Sequence, residues 1–503
     1  MRVCSYHPWS VKVGQVVNTT SAVTSTQDNA FNRPQKDSVV PLSVDQTIFL
    51  KTWLKRPMRT GSVVPSSNAL AHLITSDIVP NGGPVIELGP GTGAFTRSIL
   101  AKGLPEDMLT QMVTARPLPR LDPVEAWCDP GALRKLREML LAAQKPFVIA
   151  GGGGWTPQAA QALERFADAW KLPVGNAFRF QDTFDNHHPL YAGDVGIGIN
   201  PALARRIESC DLIIALGPRL GEMTTGGYAL LKAPKTAQKL VHIHGGAEEL
   251  HRVYHADLAM NATMNAAARA LEVLSPPIEL PWAAWAHEAH ADYLANLKPQ
   301  TLPGPIDMPA IIACIDRHLP ADAIVTNGAG NFASWMHRFH RHHGLAKGHK
   351  TQLAPTSGAM GYGVPAGIGA SILTGRTVLT IAGDGDFLMN GQELATAMQF
   401  GGKTIIVLLN NGMFGTIRMH QEREYPHHES GSGLRNPDFV ALAQAYGYAG
   451  VHIERTDQFE PALVAALALD RGTLIEVRLD PEVITTRATM TAIREAAIKK
   501  RAS

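Results

Sequence analysis

The sequence predicts an α/β protein: two doubly wound parallel-sheet domains, preceded by a truncated α/β fragment and a flexible tail. Three observations predict it. Short runs rich in Val, Ile and Leu end at glycines, as in Pro146-Phe-Val-Ile-Ala150, Asp211-Leu-Ile-Ile-Ala-Leu-Gly217, Thr377–Ala382 and Thr404–Leu409; such runs are strands buried on both faces. Helical apolar stripes stand between them, as in GALRKLREMLLAAQ and TPQAAQALERFADAWKLP, and strands alternating with helices build parallel sheets. Proline-bearing stretches, TARPLPRLDPVEAW and Pro276-Pro277 through Pro303-Gly-Pro305, break the alternation into domains.

A chain of 503 residues suffices for about three domains. With 45% hydrophobic and 18% charged residues it reads as a soluble globular protein. A net charge of +2, with no basic run interleaved with aromatics, gives no electrostatic case for nucleic acid. Cys4, Cys128, Cys210 and Cys314 show neither a paired spacing nor a zinc pattern, so reduced thiols are expected. The opening MRVCSYHPWSVKVGQVVNTT lacks the basic start, apolar centre and cleavage site of a signal peptide. No uncharged apolar run reaches membrane-spanning length, so the expectation is a cytoplasmic protein without a membrane partner.

Residues 1–45 are polar and rich in Ser, Thr, Asn and Gln, the composition of a flexible tail. Residues 46–103 bring two short amphipathic segments and then Pro84-Val-Ile-Glu-Leu-Gly-Pro-Gly-Thr-Gly-Ala-Phe-Thr96, which reads as a strand, a GxGxG turn and a helix. This turn is Rossmann-like: it brings backbone amides against a nucleoside, with Glu87 at the strand end. VIELGPGTGAFTRSIL resembles the first motif of S-adenosylmethionine-dependent methyltransferases of the phospholipid and ribosomal-RNA types. A nucleoside pocket also needs an acidic residue at the end of the next strand, about 20 residues on. The proline-bearing linker 104–125 stands there instead, so the fragment is read as truncated, with a join near Gly103-Leu104.

Residues 126–275 form the next domain, with glycine turns at Gly151–Gly154 and Gly217-Pro-Arg219 and a further strand, Leu240-Val-His-Ile-His244. Residues 276–305 are a linker holding one Trp- and Ala-rich helix, and 306–495 the last domain. His337, His340, His342, His343 and His349 suggest a metal, but Arg338, Arg341, Lys347 and Lys350 oppose a cation, so a solvated basic loop is expected. Gln421–His428 is likewise expected to be a solvated surface loop, a substrate role for His427 or His428 being the other reading.

In the last domain the strands Thr377–Ala382 and Thr404–Leu409 flank GDGDFLMNGQELATAMQFGG. Asn390 is expected to cap a helix reciprocally with Glu393, and Gly401-Gly402 to end it. The crossover of such a β-α-β unit is right-handed. The strands therefore run parallel, and Gly383-Asp384-Gly385 and Asn410-Asn411-Gly412 lie side by side at their carboxyl ends. Asp384 offers an anionic oxygen, Asn411 a neutral one, and a backbone carbonyl just after it a third. Such a set suits a hard divalent cation that keeps phosphate oxygens as ligands. The glycines let the main chain approach, and the amides of Gly385 and Asp386 near the helix start are placed to donate to an anion. Either loop alone reads first as ordinary turn chemistry; the pair is more specific.

Together with Ser357-Gly-Ala-Met-Gly-Tyr-Gly-Val-Pro-Ala366, Asn410-Asn-Gly-Met-Phe-Gly-Thr-Ile-Arg418 and Asn436-Pro-Asp-Phe439, that pair resembles the diphosphate-binding domain of thiamine diphosphate-dependent enzymes of the acetolactate synthase and benzoylformate decarboxylase type. The resemblance implies that Asp384, Asn411 and the Met413 carbonyl hold magnesium, and that Gly358, Gly385, Asp386 and Gly415 contact the cofactor. It implies that Met360 is the apolar wedge beneath the bent cofactor, core filler being the other reading. Thr326-Asn-Gly-Ala-Gly-Asn331 resembles the family's first diphosphate loop, with Asn331 and Phe332 where many acetolactate synthases have Gln and His. Residues 126–275 resemble the family's middle domain. Their strand ending His242-Ile-His244-Gly-Gly lacks the aspartates of the flavin binders, which argues against FAD, and the glycines read equally as tight turns. Leu104-Pro-Glu-Asp-Met-Leu109 resembles the segment closing the family's pyrimidine-binding domain. That domain, with a typical span of about 160 residues, and its activating glutamate are expected to be absent; Glu87 sits in the methyltransferase motif and no catalytic residue is assigned.

The function implied is that of a thiamine diphosphate- and Mg2+-binding lyase or transferase acting on a small 2-oxo acid. It is expected to be homo-oligomeric or completed by a full-length homologue. A non-catalytic cofactor-binding or dimerising remnant of the same fold, and a methyltransferase using Gly89–Gly93, are the alternatives.

Overall fold

The computed structural model describes residues 2–7, 10–13, 71–72, 75–76, 78, 85–88, 98–102 and 124–502. The chain divides into two compact units, residues 1–122 and 123–503. In the first, β1 (Arg2–His7) pairs antiparallel with β2 (Ser10–Val13) and parallel with β3 (Val85–Leu88). The start of the expected tail is therefore a hairpin. Val3, Tyr6, Val11 and Val13 favour strands, a local signal outweighed by the polar composition that follows. Thr75 and Ser98 share a 2.7 Å hydrogen bond. The rest of the tail, the glycine turn Gly89–Gly93 and the join at 103–104 lie outside the described residues.

The second unit holds two all-parallel six-stranded sheets. The central sheet has the order β6-β5-β4-β7-β8-β9, from β4 (Pro146–Ala150), β5 (Val174–Ala177), β6 (Tyr191–Val195), β7 (Leu212–Leu216), β8 (Lys239–His244) and β9 (Leu258–Asn261). Every residue of β4, β5 and β7 is buried, as strands covered by helices on both faces must be. The glycines after β4 and β7 face each other. A Cβ on Gly152 (φ +76) would lie 2.0 Å from the Gly217 carbonyl oxygen, and one on Gly217 (φ +89) 2.2 Å from that of Gly151. Backbone packing against backbone accounts for these glycines. The linker helix Ala283–Asn296 packs onto this domain: Trp282, Ala286 and Tyr293 join its core, and the Trp282 indole donates to Trp170 O at 2.8 Å.

The last domain carries the order β11-β10-β12-β13-β15-β14, from β10 (Ile324–Asn327), β11 (Gln352–Leu353), β12 (Val378–Gly383), β13 (Thr404–Asn410), β14 (Ala449–Ile453) and β15 (Thr473–Arg478). The two strands expected around the GDG loop are neighbours and parallel, in register from Val378↔Thr404 to Gly383↔Leu409. The helix after β12 differs from expectation. It starts at Asp384 itself, directly on the strand end, so Asn390 is its last residue and makes no cap hydrogen bond. Asn390 Nδ2 instead donates to Gly361 O at 2.9 Å. Gly401 ends the next helix, Leu394–Phe400, in the left-handed conformation.

The domains are clasped by residues 179–186. The carboxylate of Asp182, fully buried, accepts the Thr351 and Gln352 amides at 2.9 and 3.0 Å and the Lys350 ammonium at 2.6 Å, which covers the free edge of β11. This clasp overturns the solvated-loop expectation for two histidines: His337 pairs with Gln181 Oε1 at 2.6 Å and His342 with Thr351 Oγ1 at 3.1 Å, and burial holds both neutral, His337 down to about 3. Among the described residues no helix is long and apolar enough to cross a membrane.

Candidate functional site

A cleft of about 580 Å³ opens at the carboxyl ends of β10, β12, β13 and β15, where the strand order reverses between β10 and β12. That is where open parallel sheets bind ligands. Met360, Asp384, Gly385, Asp386, Asn411, Met413 and Gly415 all line it; Gly358 does not. Gly358 adopts φ +76 in the loop after β11, where a Cβ would sit 3.3 Å from Met223 Cε of the central domain. Met360 is exposed at the cleft, so it is no core filler.

Asp384 is buried and held from several sides. Its Oδ1 accepts the Gly385 amide at 2.9 Å, and its Oδ2 accepts the Gly412 amide at 2.9 Å and Asn436 Nδ2 at 2.8 Å. Burial pushes its carboxyl above the usual range, against hydrogen bonds led by the one from Asn436. The Gly385 amide is thus turned to its own carboxylate neighbour, which differs from the expected donation to an anion. Asn411 Oδ1 accepts the Met413 amide at 3.3 Å. A Cβ on Gly385 would meet Phe414 Cε1 at 2.4 Å, so the loops close on each other only with glycine there.

Asp386 ties three loops together. Its Oδ1 accepts the amides of Gly361 at 2.8 Å and Ala329 at 3.2 Å, while its buried Oδ2 has no partner among the described residues. Burial pushes it up to about 6, opposed by those amides and by the charge of Arg179. Arg179 reaches in from the central domain in a left-handed conformation (φ 63) and donates to Pro355 O. A Cβ on Gly328 would fall 1.9 Å from Asp386 Oδ1, so that loop too needs glycine.

Two participants, Asn436 and Arg179, were given no role by the sequence reading, and Asn331 was placed in the first diphosphate loop without its partners. Asn436 bridges Asp384 Oδ2 and Asn410 Oδ1, each at 2.8 Å; it lies in a quoted motif, but nothing local says that its amide returns to Asp384. Asn331 donates to Ile484 O at 3.0 Å and accepts from Thr416 Oγ1 at 3.0 Å, joining three walls of the cleft. Arg179 had no motif at all. His427 and His428 are absent from the cleft lining. The Gln421–His428 segment is anchored by Glu422, buried and paired with Arg494 at 2.7 Å.

The donor set is all oxygen: one carboxylate, one amide oxygen and the Met413 carbonyl. Asp384 Oδ1, with one partner to the two of Oδ2, keeps a lone pair. This fits magnesium with a diphosphate, and the unpartnered Asp386 Oδ2 fits a polar ligand in the same cleft.

Two family models match the chain. Residues 133–271 match the thiamine pyrophosphate enzyme central domain, and residues 328–477 the thiamine pyrophosphate enzyme C-terminal TPP binding domain. The acetolactate synthase isozyme 2 large subunit of Escherichia coli is 31% identical over 353 residues, 69% of this chain and 62% of that protein. The acetolactate synthase large subunit of Parasynechococcus marenigrum is 31% identical over 351 residues, 68% of this chain and 55% of the relative. The isozyme 3 large subunit of Escherichia coli is 29% identical over 348 residues, 67% and 59% respectively. The matches thus span between 55% and 62% of these relatives' length. The two family matches, falling in order on the two six-stranded parallel-sheet domains, place the chain in the thiamine pyrophosphate enzyme family, of which it carries the central and C-terminal TPP-binding domains.

Proposed function

We propose that this chain binds thiamine diphosphate through Mg2+ in the β10–β15 cleft, as the diphosphate-binding half of a lyase or carboligase site for a small 2-oxo acid. The observation that carries the reading is the convergence of Asp384, Asn411 and Met413 on one cleft from the ends of two adjacent parallel strands. Asp384, Asn411 and the Met413 carbonyl would hold the metal, and Met360 would support the apolar middle of the cofactor. When bound, thiamine diphosphate supplies a carbon nucleophile and an electron sink for cleaving a bond next to a carbonyl. The chain's own residues fix the metal's position: the Gly412 and Asn436 donors aim the Asp384 carboxylate, and Asp386 locks the loops around it. The activating carboxylate and the pyrimidine-side wall are assigned to a full-length homologue as partner.

Calorimetric titration tests this. Thiamine diphosphate should bind with Mg2+ and not with EDTA, and Asp384→Ala should abolish the metal-dependent part; unchanged affinity in that variant would sink the assignment. Binding with no pyruvate turnover, alone or with a full-length homologue, would favour a non-catalytic cofactor-binding module.

A further inference from the structure

Five histidines crowd residues 337–349, and all but one have structural partners or are exposed alone: His337 on Gln181, His340 on Asp316, His342 on Thr351 and His349 at the surface. The exception is His343. Its ring stacks on that of His187 of the central domain, centroids 4.5 Å apart and planes 9° apart. His187 Nδ1 stands 3.2 Å from Asp185 Oδ1. Donor atoms of Asp185, His187 and His343 all lie within 4.8 Å of one another.

Two features make this more than a chance grouping. The first is place: the three donors come from both sides of the domain seam, and Asp185 Oδ1 is already aligned on His187 by its amide at 2.8 Å and its Nδ1 at 3.2 Å. The second is Glu164, on the helix Pro157–Trp170. Its buried Oε1 has no partner among the described residues, and its carboxyl accepts from the Asp185 backbone and feels the Asp185 charge. Two carboxylates are thus held together with one ammonium near them, Lys347 Nζ at 3.8 Å from Asp185 Oδ2. The other cations that argued against a metal are directed elsewhere: Arg338 to Asn296 O and Thr486 O, Arg341 to Asn186 O, and Lys350 to Asp182.

We propose that Asp185, His187 and His343 bind a zinc-type divalent transition metal at the seam between the central and C-terminal domains, with Glu164 held against the Asp185 backbone behind them. Two imidazoles and a carboxylate select such an ion over magnesium, which takes oxygen ligands. Because two ligands come from one domain and one from the other, the ion pins the seam that the 179–186 clasp closes. On binding, the stacked rings splay to turn both nitrogens to the metal.

The test uses the full chain purified without a polyhistidine tag and stripped with chelator. Titration with ZnCl2, read by calorimetry and thermal melting, should show one equivalent bound and a raised Tm; MgCl2 should give neither. His343→Ala, whose ring is partly exposed, should keep the metal-free Tm and lose the zinc-induced rise, with affinity down about tenfold or more. His187→Ala should do the same. A competing cluster, Cys314, His318 and Glu460, serves as control. There His318 Nε2 and Arg317 already occupy the Glu460 carboxylate at 2.7 and 3.3 Å. Absence of stoichiometric zinc binding overturns the proposal. So does zinc binding that survives His343→Ala and His187→Ala, or that is lost only in His318→Ala.

Discussion

Asn436→Ala separates a metal-orienting role from a merely structural one. The Asn436 amide donates to Asp384 Oδ2 and to Asn410 Oδ1, each at 2.8 Å, while its own Oδ1 is buried without a partner among the described residues. Removing the side chain loses one hydrogen bond to a carboxylate, about 1.5–3 kcal/mol, and one neutral bond, about 0.5–1.5 kcal/mol. It also removes an unsatisfied carbonyl oxygen, whose burial costs about 1–3 kcal/mol. At mid-range these leave a net loss of about 1 kcal/mol in the metal-free fold, and at most about 3.5 kcal/mol.

Metal binding has no such compensation. Asp384 loses the leading hydrogen bond that holds its buried carboxylate in the charged form and in one orientation. Loss of a partner that orients a ligand costs about 10–100-fold in metal affinity, or about 1.4–2.7 kcal/mol. The assay is a Mg2+ titration at saturating thiamine diphosphate, beside a urea melt of the metal-free protein. Expected is a right-shifted titration at nearly unchanged stability. A variant whose Tm collapses while its Mg2+ midpoint stays within about threefold of wild type would refute the reasoning, because Asn436 would then serve the fold and not the ion.

Three further outcomes are expected. Gly328→Ala would put a Cβ 1.9 Å from Asp386 Oδ1, so the loop must move; a loss above about 3 kcal/mol is expected in thermal melts, and an unaltered Tm would contradict the packing. Asp386 titrates near 6 in the folded chain, above its ordinary value, because of burial. Its contribution to stability is therefore full below the unfolded pKa and lost as pH rises through about 6. Asp386→Asn should gain on wild type between about pH 4 and 7.5, by at most about 3 kcal/mol in urea unfolding, and a pH-independent difference would count against it. Glu422 is held down to about 2, chiefly by its hydrogen bonds with Arg494 at 2.7 and 2.8 Å. That stability is present above the ordinary glutamate range and lost as pH falls through about 2. Arg494→Leu should cost about 1.5–3 kcal/mol at neutral pH, Arg418 remaining on Glu422 Oε1 at 3.0 Å, and the gap should narrow on acidification; a constant gap would exclude the ion pair as its source.

What the sequence made legible follows one rule. The two sheets and the GDG and NNG loops were readable because β4, β7, β12 and β13 are short runs dominated by apolar, β-branched residues that end at or just before glycine or asparagine, and right-handed crossovers fix which ends meet. The helix after β12 was misjudged in its start because a helix may begin directly on a strand end, with no spacer and no side-chain cap. Asn436, Asn331 and Arg179 were not readable because their partners are distant in sequence and are chosen by tertiary packing. Burial of His337 and His342 was hidden for the same reason: the residues that cover them, Gln181 and its neighbours, belong to the other domain.

The clasp has a consequence for the cleft. Residues 179–187 contribute Arg179 beside Asp386 and on Pro355, Asp182 on the edge of β11, and Asp185 and His187 beside His343. One loop of the central domain therefore touches the C-terminal domain at its cofactor-side loops, at its sheet edge and at its histidine-rich segment. Asp386 feels the charge of Arg179 while its Oδ1 holds the Gly361 and Ala329 loops. Any displacement of that central loop removes the cation nearest a buried carboxylate and loosens two walls of the cleft together. Through Arg179, domain docking and cleft geometry are thus coupled, and the central domain has a task in shaping the site next door.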